Sequence, residues 1–296
     1  MEALVWWVWP IIMFGFTFII GLIAPVSGVG GGVLFVPLAT AFFPFSVDFV
    51  RGTGLIMALT GALSSAPHLV RQGMANLRIM VPIVLVSMVT SVLGGTAGLW
   101  LTNTYPAGEE YVTIALGVVL FAIFGLMITS RQVEFPEVEN QGPISRGLGL
   151  EGSWYETSMS CVVEYKATRL RYALVAFGVV GFIGGMFGLG AGWANVPTLN
   201  LIMGCPIKVA TSTSMLIITA NSPAAAWVYL ANGAVLPLIV IPSVIGIALG
   251  ARIGSKLAVK AKPKFVRYLV MFIMLMSAIL DIVKGLGGLG VIPKIL

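Results

Sequence analysis

The chain has 296 residues, of which 58% are hydrophobic and only 9% are charged, with a mean hydropathy of +1.02. Soluble domains carry about 25% charged residues, so the composition excludes a water-soluble globule and predicts an all-α polytopic protein in a lipid bilayer. The formal charge of +6 comes from Lys and Arg residues placed between apolar runs, which reads as a topology signal and argues against a nucleic-acid partner.

In chain order, the first apolar segment covers about 4–26. Its start, Met1-Glu2-Ala3, lacks the basic region of a signal peptide, so it reads as a retained helix. Gly28-Val29-Gly30-Gly31-Gly32 follows, with Pro37 soon after. Each glycine costs a helix ~1 kcal/mol relative to alanine, so the helix is expected to break there. A short segment at 32–45 leads to a third at 50–66, which opens on Arg51-Gly52-Thr53-Gly54 and closes near Ser64-Ser65-Ala66-Pro67-His68. Segments at 79–101 and 111–130 complete a first set of five. A polar stretch, 131–170, reads as a linker, with an alternating run from Trp154 to Lys166 that suits a short hairpin. The second set covers 171–187, 193–204, 209–230, 236–257 and 265–283. Gly188-Leu189-Gly190-Ala191-Gly192-Trp193-Ala194-Asn195-Val196-Pro197 follows its first segment, and its third holds Thr211-Ser212-Thr213-Ser214 and Asn221-Ser222-Pro223.

The two glycine motifs stand 160 residues apart, and the same offset pairs Gly21 with Gly181, Thr53 with Thr213, Gly73 with Gly233, Pro82 with Pro242 and Gly94 with Gly254. The chain therefore reads as a duplication, divided into a first repeat at 1–130, a linker at 131–170 and a second repeat at 171–296. Lys256, Lys260, Lys262, Lys264 and Arg267 crowd one connection, whereas its counterpart around 103–111 has Glu109 and Glu110 and no base. Conversely, Arg71 and Arg78 flank a first-half connection whose counterpart is uncharged. Equivalent loops thus fall on opposite sides of the membrane, the signature of inverted repeats with an odd number of passes each. Both termini are expected outside and the 131–170 linker in the cytoplasm, in the inner or plasma membrane. The short second segments can form re-entrant hairpins with the first, which leaves six to ten spans.

Broken helices are tolerated in a membrane where protein or water satisfies the freed backbone groups, and an opened helix N-terminus favours an anion. Two such breaks related by inversion are expected to meet near the midplane. The candidate substrate-binding set is Gly28, Gly30, Gly31, Gly32, Thr53, Gly188, Gly190, Gly192, Asn195 and Thr213. Gly246, Gly250 and Gly254 repeat every four residues and read as helix packing. Arg252 and Asp281 are expected at interfaces, Asp48 and Lys208 read as topology, and His68 is expected in a cytoplasmic loop. No proton-coupling group is evident in the sequence. Cys161 and Cys205 suggest neither a disulfide nor a metal framework, and no cofactor, nucleophile or metal cluster points to an enzyme.

The paired motifs Gly28 to Pro37 and Gly188 to Pro197, with Gly52-Thr53-Gly54, Thr211 to Ser214, Gly73 and Gly233, resemble the sulfite exporter TauE/SafE family of permeases. The resemblance implies a secondary carrier, often an exporter, for small sulfur-containing anions such as sulfite, sulfoacetate and other organosulfonates, or thiosulfate. It also implies about eight spans. Alternating access around the midplane site is the mechanism expected of two such inverted, broken halves. The expected partners are that anion and the bilayer, with protons and further copies of the chain as additional candidates. An anion channel, a carrier for another small organic anion, and a membrane sensor or scaffold are the competing readings.

Overall fold

Within lipid, every backbone N–H and C=O must be satisfied inside the segment, so the apolar runs form helices. The computed structural model describes residues 8–27, 30–71, 73–129, 134, 136, 141–156, 161–258 and 263–291. The first half contains α1 (Val8–Ser27), α2 (Gly31–Phe42), α3 (Val47–Arg71), α4 (Leu77–Thr104) and α5 (Gly108–Thr129). A short α6 (Pro143–Gly147) and an antiparallel hairpin, β1 (Glu151–Glu156) with β2 (Cys161–Lys166), follow. The second half contains α7 (Leu170–Met186), α8 (Gly192–Pro197) continued by a π-helical turn (Thr198–Ile202), α9 (Ile207–Ala231), α10 (Pro237–Ala258) and α11 (Pro263–Gly288). The protein is an all-α polytopic membrane protein. Six helices, α1, α4, α5, α9, α10 and α11, are long and apolar enough to cross a bilayer. With 25 residues α3 is also long enough, although Asp48 and Arg51 make it more polar. It extends to Arg71 and so includes His68, expected in a loop; that side chain lies outside those described.

Equivalent helices lie side by side and run in opposite directions. Gly52 near the start of α3 meets Tyr229 near the end of α9. Leu55 clusters with Ala225, Ala226 and Tyr229, while Ala62 and Ala66 cluster with Met215 and Ile218. Likewise Gly117 of α5 packs on Ala278 and Ile282 of α11, and Ile114 packs on Gly285. Two copies whose matching helices are antiparallel neighbours are inverted relative to each other. The crossing of α3 and α9 falls level with Gly61 and Asn221, which marks the centre of the bundle.

The first helix of each half packs on the fourth helix of the other. Gly246, Gly250 and Gly254 of α10 press against the carbonyl oxygens of Phe14, Phe18 and Leu22 of α1, so close that a Cβ would collide with them. In the mirrored contact, Gly181 and Gly185 of α7 press against Ser87 and Ser91 of α4, and Gly94 against Phe182. Small residues permit this approach, as helix packing in lipid favours.

The second helix of the first half turns back. With 12 residues, α2 is roughly 18 Å long, too short to cross. Trp9 at the start of α1 lies against Phe43 and Phe45 beyond the end of α2, with ring centroids 6.1 and 5.4 Å away. The pair α1–α2 is therefore a hairpin that enters and leaves on one side and is broken at its tip by the glycines. The polar insert caps the other side. Its Leu150, Trp154 and Tyr165 join a cluster with Cys205 and Val209, Thr168 N donates to Met203 O at 2.9 Å, and Asn76 Nδ2 donates to Tyr165 Oη at 2.8 Å.

Candidate functional site

Left-handed glycines make both breaks. Gly30 precedes α2 with φ 82°, and Gly188 and Gly190 precede α8 with φ 71° and 69°, conformations open to glycine and strained for most other residues. No side chain caps α2 or α8. Gly28 lies outside the described residues. The others, Gly30, Gly31, Gly32, Gly188, Gly190 and Gly192, are all buried.

The two breaks touch at the bundle centre. A Cβ on Gly32 would lie 2.9 Å from Leu189 O and 2.6 Å from Gly54 O, and one on Gly31 would lie 2.9 Å from Met57 O. A Cβ on Gly190 would lie 3.2 Å from Ala58 Cβ and 3.9 Å from Ser222 Oγ, and one on Gly30 would lie 3.1 Å from Ile218 Cδ1. Glycine is thus required by close approach as well as by φ. The motifs and the middles of α3 and α9 form one junction.

Around this junction several buried polar atoms have no hydrogen-bond partner: Asn195 Oδ1 and Nδ2, Trp193 Nε1, Ser222 Oγ and Asn221 Oδ1, with Thr53 Oγ1 farther along α3. An unpaired buried polar group costs about 1–3 kcal/mol, and such groups mark strain, function or a site for a ligand. Asn195 and Thr53 belong to the set predicted from the sequence. Trp193 and Ser222 do not, although Asn221-Ser222 stood out as a polar pair.

The two predicted threonines are not brought together. Thr53 lies level with Val228 across the antiparallel pair, so at ~1.5 Å per residue it stands about 22 Å along the bundle from Thr213. Thr213 Oγ1 accepts from Asn76 N at 3.1 Å, which ties α9 to the start of α4. Inversion places matching residues at one site only near the centre; eight residues from it, they stand well apart along the bundle.

Sequence reading passed over a second feature beside the break. Arg51 is fully buried and donates to the Asp48 carboxylate. Its Nη1 donates to Met186 O at 3.0 Å, and its guanidinium lies 5.4 Å from the Tyr229 ring centroid. Tyr229 Oη bonds the carbonyl oxygens of Gly185 and Met186, each at 3.0 Å. These groups satisfy the last carbonyls of α7, which the break leaves without helical partners, and a cation suits a helix C-terminus. Asp48 is therefore an ion-pair partner as well as an interfacial charge. Asp281, expected at an interface, is instead fully buried.

Comparison with known proteins assigns the architecture. The profile of the sulfite exporter TauE/SafE family matches residues 13–280. The chain belongs to the sulfite exporter TauE/SafE family. It is 24% identical over 275 residues to the probable membrane transporter protein YunE of Bacillus subtilis, covering 90% of this chain and 95% of that one. It is 25% identical over 269 residues to the probable membrane transporter protein ORF9 of Sinorhizobium sp., covering 90% of each. No solved structure matches the chain. As a TauE/SafE protein it is a multi-pass membrane transporter, not an enzyme, and the glycine junction lies inside the matched region.

Proposed function

We propose that this transporter is a secondary carrier that exports small sulfur-containing anions, with sulfite as the representative substrate. It works by alternating access around the junction of its two broken helices. The reading rests on one observation: Trp193 and Asn195 on α8, directly after the second break, and Ser222, whose Oγ lies 3.9 Å from a Cβ built on Gly190, hold unpartnered polar groups. Amide, indole and hydroxyl donors, together with the N-terminus of α2, bind an oxyanion without burying a fixed charge, and neutral donors also let it leave. The substrate set is Gly30, Gly31, Gly32, Thr53, Gly188, Gly190, Gly192 and Asn195, with Ser222 and Trp193 added and Thr213 removed; Gly28 lies outside the described residues.

Two repeats, 1–130 and 171–296, supply one break each, and the segment 131–170 joins them. Placement in the inner membrane is part of this proposal, and the basic connection 256–267 supports both termini lying outside. The α1–α2 hairpin then opens outward, and the insert lies on the cytoplasmic ends of α4 and α9. Rocking one hairpin against the α3–α9 pair exposes the junction to either side.

Sulfite counterflow in proteoliposomes tests the reading, because exchange stimulated from the far side identifies a carrier and unsaturable flux identifies a channel. Loss of counterflow in a folded Gly30→Leu, Gly190→Leu double variant is expected. Undiminished counterflow in that variant removes the junction as the site.

A further inference from the structure

The last helix carries an acid that the anion site does not use. Asp281 is fully buried, and neither of its carboxylate oxygens has a hydrogen-bond partner. One turn earlier, Ser277 is equally buried and its hydroxyl is also unpartnered. One turn later, Lys284 Nζ donates to Thr40 O of α2 at 2.7 Å. Ala278, Ile282 and Gly285 face α5, so Ser277, Asp281 and Lys284 form the adjoining stripe, which reaches α2.

Beyond Lys284 this stripe opens into a cavity of about 210 Å³, lined also by Glu109, Glu110, Thr113 and Phe45. Asp281 thus lies one turn inward from the wall of a polar vestibule. The helices packed on α11 are α5, α2 and α1. Neither α1 nor α2 has a titratable side chain. The ionisable groups of α5, Glu109, Glu110 and Tyr111, stand in its first turn, at the vestibule end. On α11 itself Lys284 is the near charge, and Lys264, Arg267 and Tyr268 belong to the opposite end. A metal ion would need several oxygen ligands. One carboxylate with one hydroxyl is too few, and no group of three His, Cys, Asp or Glu side chains that could hold a metal occurs among the described residues. A proton needs one oxygen.

We propose that Asp281 is a proton-binding site, filled from the Glu109–Glu110 vestibule past Lys284, that couples the proton to movement of α2. As a neutral acid, Asp281 fits the buried contact between α11 and α2, one turn from the Ser277 hydroxyl. Once the proton leaves, an unpaired carboxylate in that contact is relieved when the helices part and admit water or Lys284. At its other end α2 carries Gly30, Gly31 and Gly32, so a single short helix links proton occupancy to the proposed anion site. The coupling half of this inference rests on the carrier reading; the proton site does not.

Infrared difference spectroscopy of the purified full chain, titrated from acid to alkaline pH, reads the site directly. The carbonyl stretch of a protonated carboxyl is expected at neutral pH, absent from Asp281→Asn and shifted in Ser277→Ala. A wild-type spectrum indistinguishable from that of Asp281→Asn overturns the site. In proteoliposomes holding sulfite and a pH-sensitive dye, proton movement that accompanies sulfite flux is expected to disappear in Asp281→Asn while sulfite counterflow persists. If the wild type moves no sulfite, the carrier reading fails and the carboxyl band still decides the proton site. If Asp281→Asn retains coupled proton movement, the coupling role is wrong even though transport is sound.

Discussion

The guanidinium of Arg51 is paired with the carboxylate of Asp48 one turn earlier on α3, and the same guanidinium holds the last carbonyl of α7. Thr102 Oγ1 donates to Asp48 Oδ2 at 3.0 Å, so the pair joins α3, α4 and the break that follows α7. Removing one member of a buried pair leaves an uncompensated charge, which is more damaging than losing the pair. Asp48→Asn is therefore expected to lower stability by about 3 kcal/mol. An Asp48→Asn, Arg51→Met double variant should lose less than the sum of the two single variants. Thermal unfolding in detergent across the double-mutant cycle measures the coupling.

Gly94 and Gly254 occupy matching positions and meet matching partners, the carbonyls of Phe182 and Leu22. Alanine at either position must push two helices apart, at a cost of about 1–3 kcal/mol each. Gly125 of α5 has nothing within 4 Å of its Cβ position, so Gly125→Ala should raise stability by about 0.5–1 kcal/mol through helix propensity. Melting temperatures of the three variants should divide in that way; a fall for Gly125→Ala as large as the others would contradict the packing described.

Ser222→Ala and Thr213→Val separate the junction from the rest of α9. The first is expected to raise the half-saturating sulfite concentration about ten-fold, the effect of losing ~1.4 kcal/mol of binding. The second breaks the bond to Asn76 and should lower stability by about 1 kcal/mol with half-saturation unchanged. Counterflow at varied sulfite concentration, paired with melting curves, distinguishes the two effects.

Tyr165 links the insert to the start of α4. Burial pushes its phenol up to about 12 from an ordinary 10.0, outweighing the opposing hydrogen bond from Asn76. The folded insert therefore holds the phenolic proton more tightly than the unfolded chain does. Its contribution to stability is complete below pH 10.0 and declines as pH rises through about 12. Trp154, with its ring centroid 5.8 Å from that of Tyr165, should report the release as a fluorescence change that is missing in Trp154→Phe. A transition near pH 10 would mean that the hairpin is not docked as described.

Helical class, inversion and the breaking glycines were readable because they depend on residue type and spacing. Apolar runs force helices, left-handed turns select glycine, and a constant offset survives in the sequence as matched pairs. The partners of single polar side chains were not readable. Thr53 and Thr213 match in sequence, yet inversion sets them about 22 Å apart along the bundle. Asp281 looked interfacial because it lies near the end of an apolar run, but it is fully buried, and sequence distance from a helix end does not record what packs beside it. Arg51 escaped notice for the same reason: its partner carbonyl is on α7, far along the chain.

The exchange of first helices between the halves also bears on biogenesis. The ribosome delivers α1 well before α10, whose glycine-bearing face closes against it. Until then the hairpin has α3 beside α2 but nothing against the α10-facing side of α1, which the insertion machinery or surrounding lipid must shelter. A chain cut after the first half should therefore yield a fragment prone to degradation, rescued when the missing half is co-expressed.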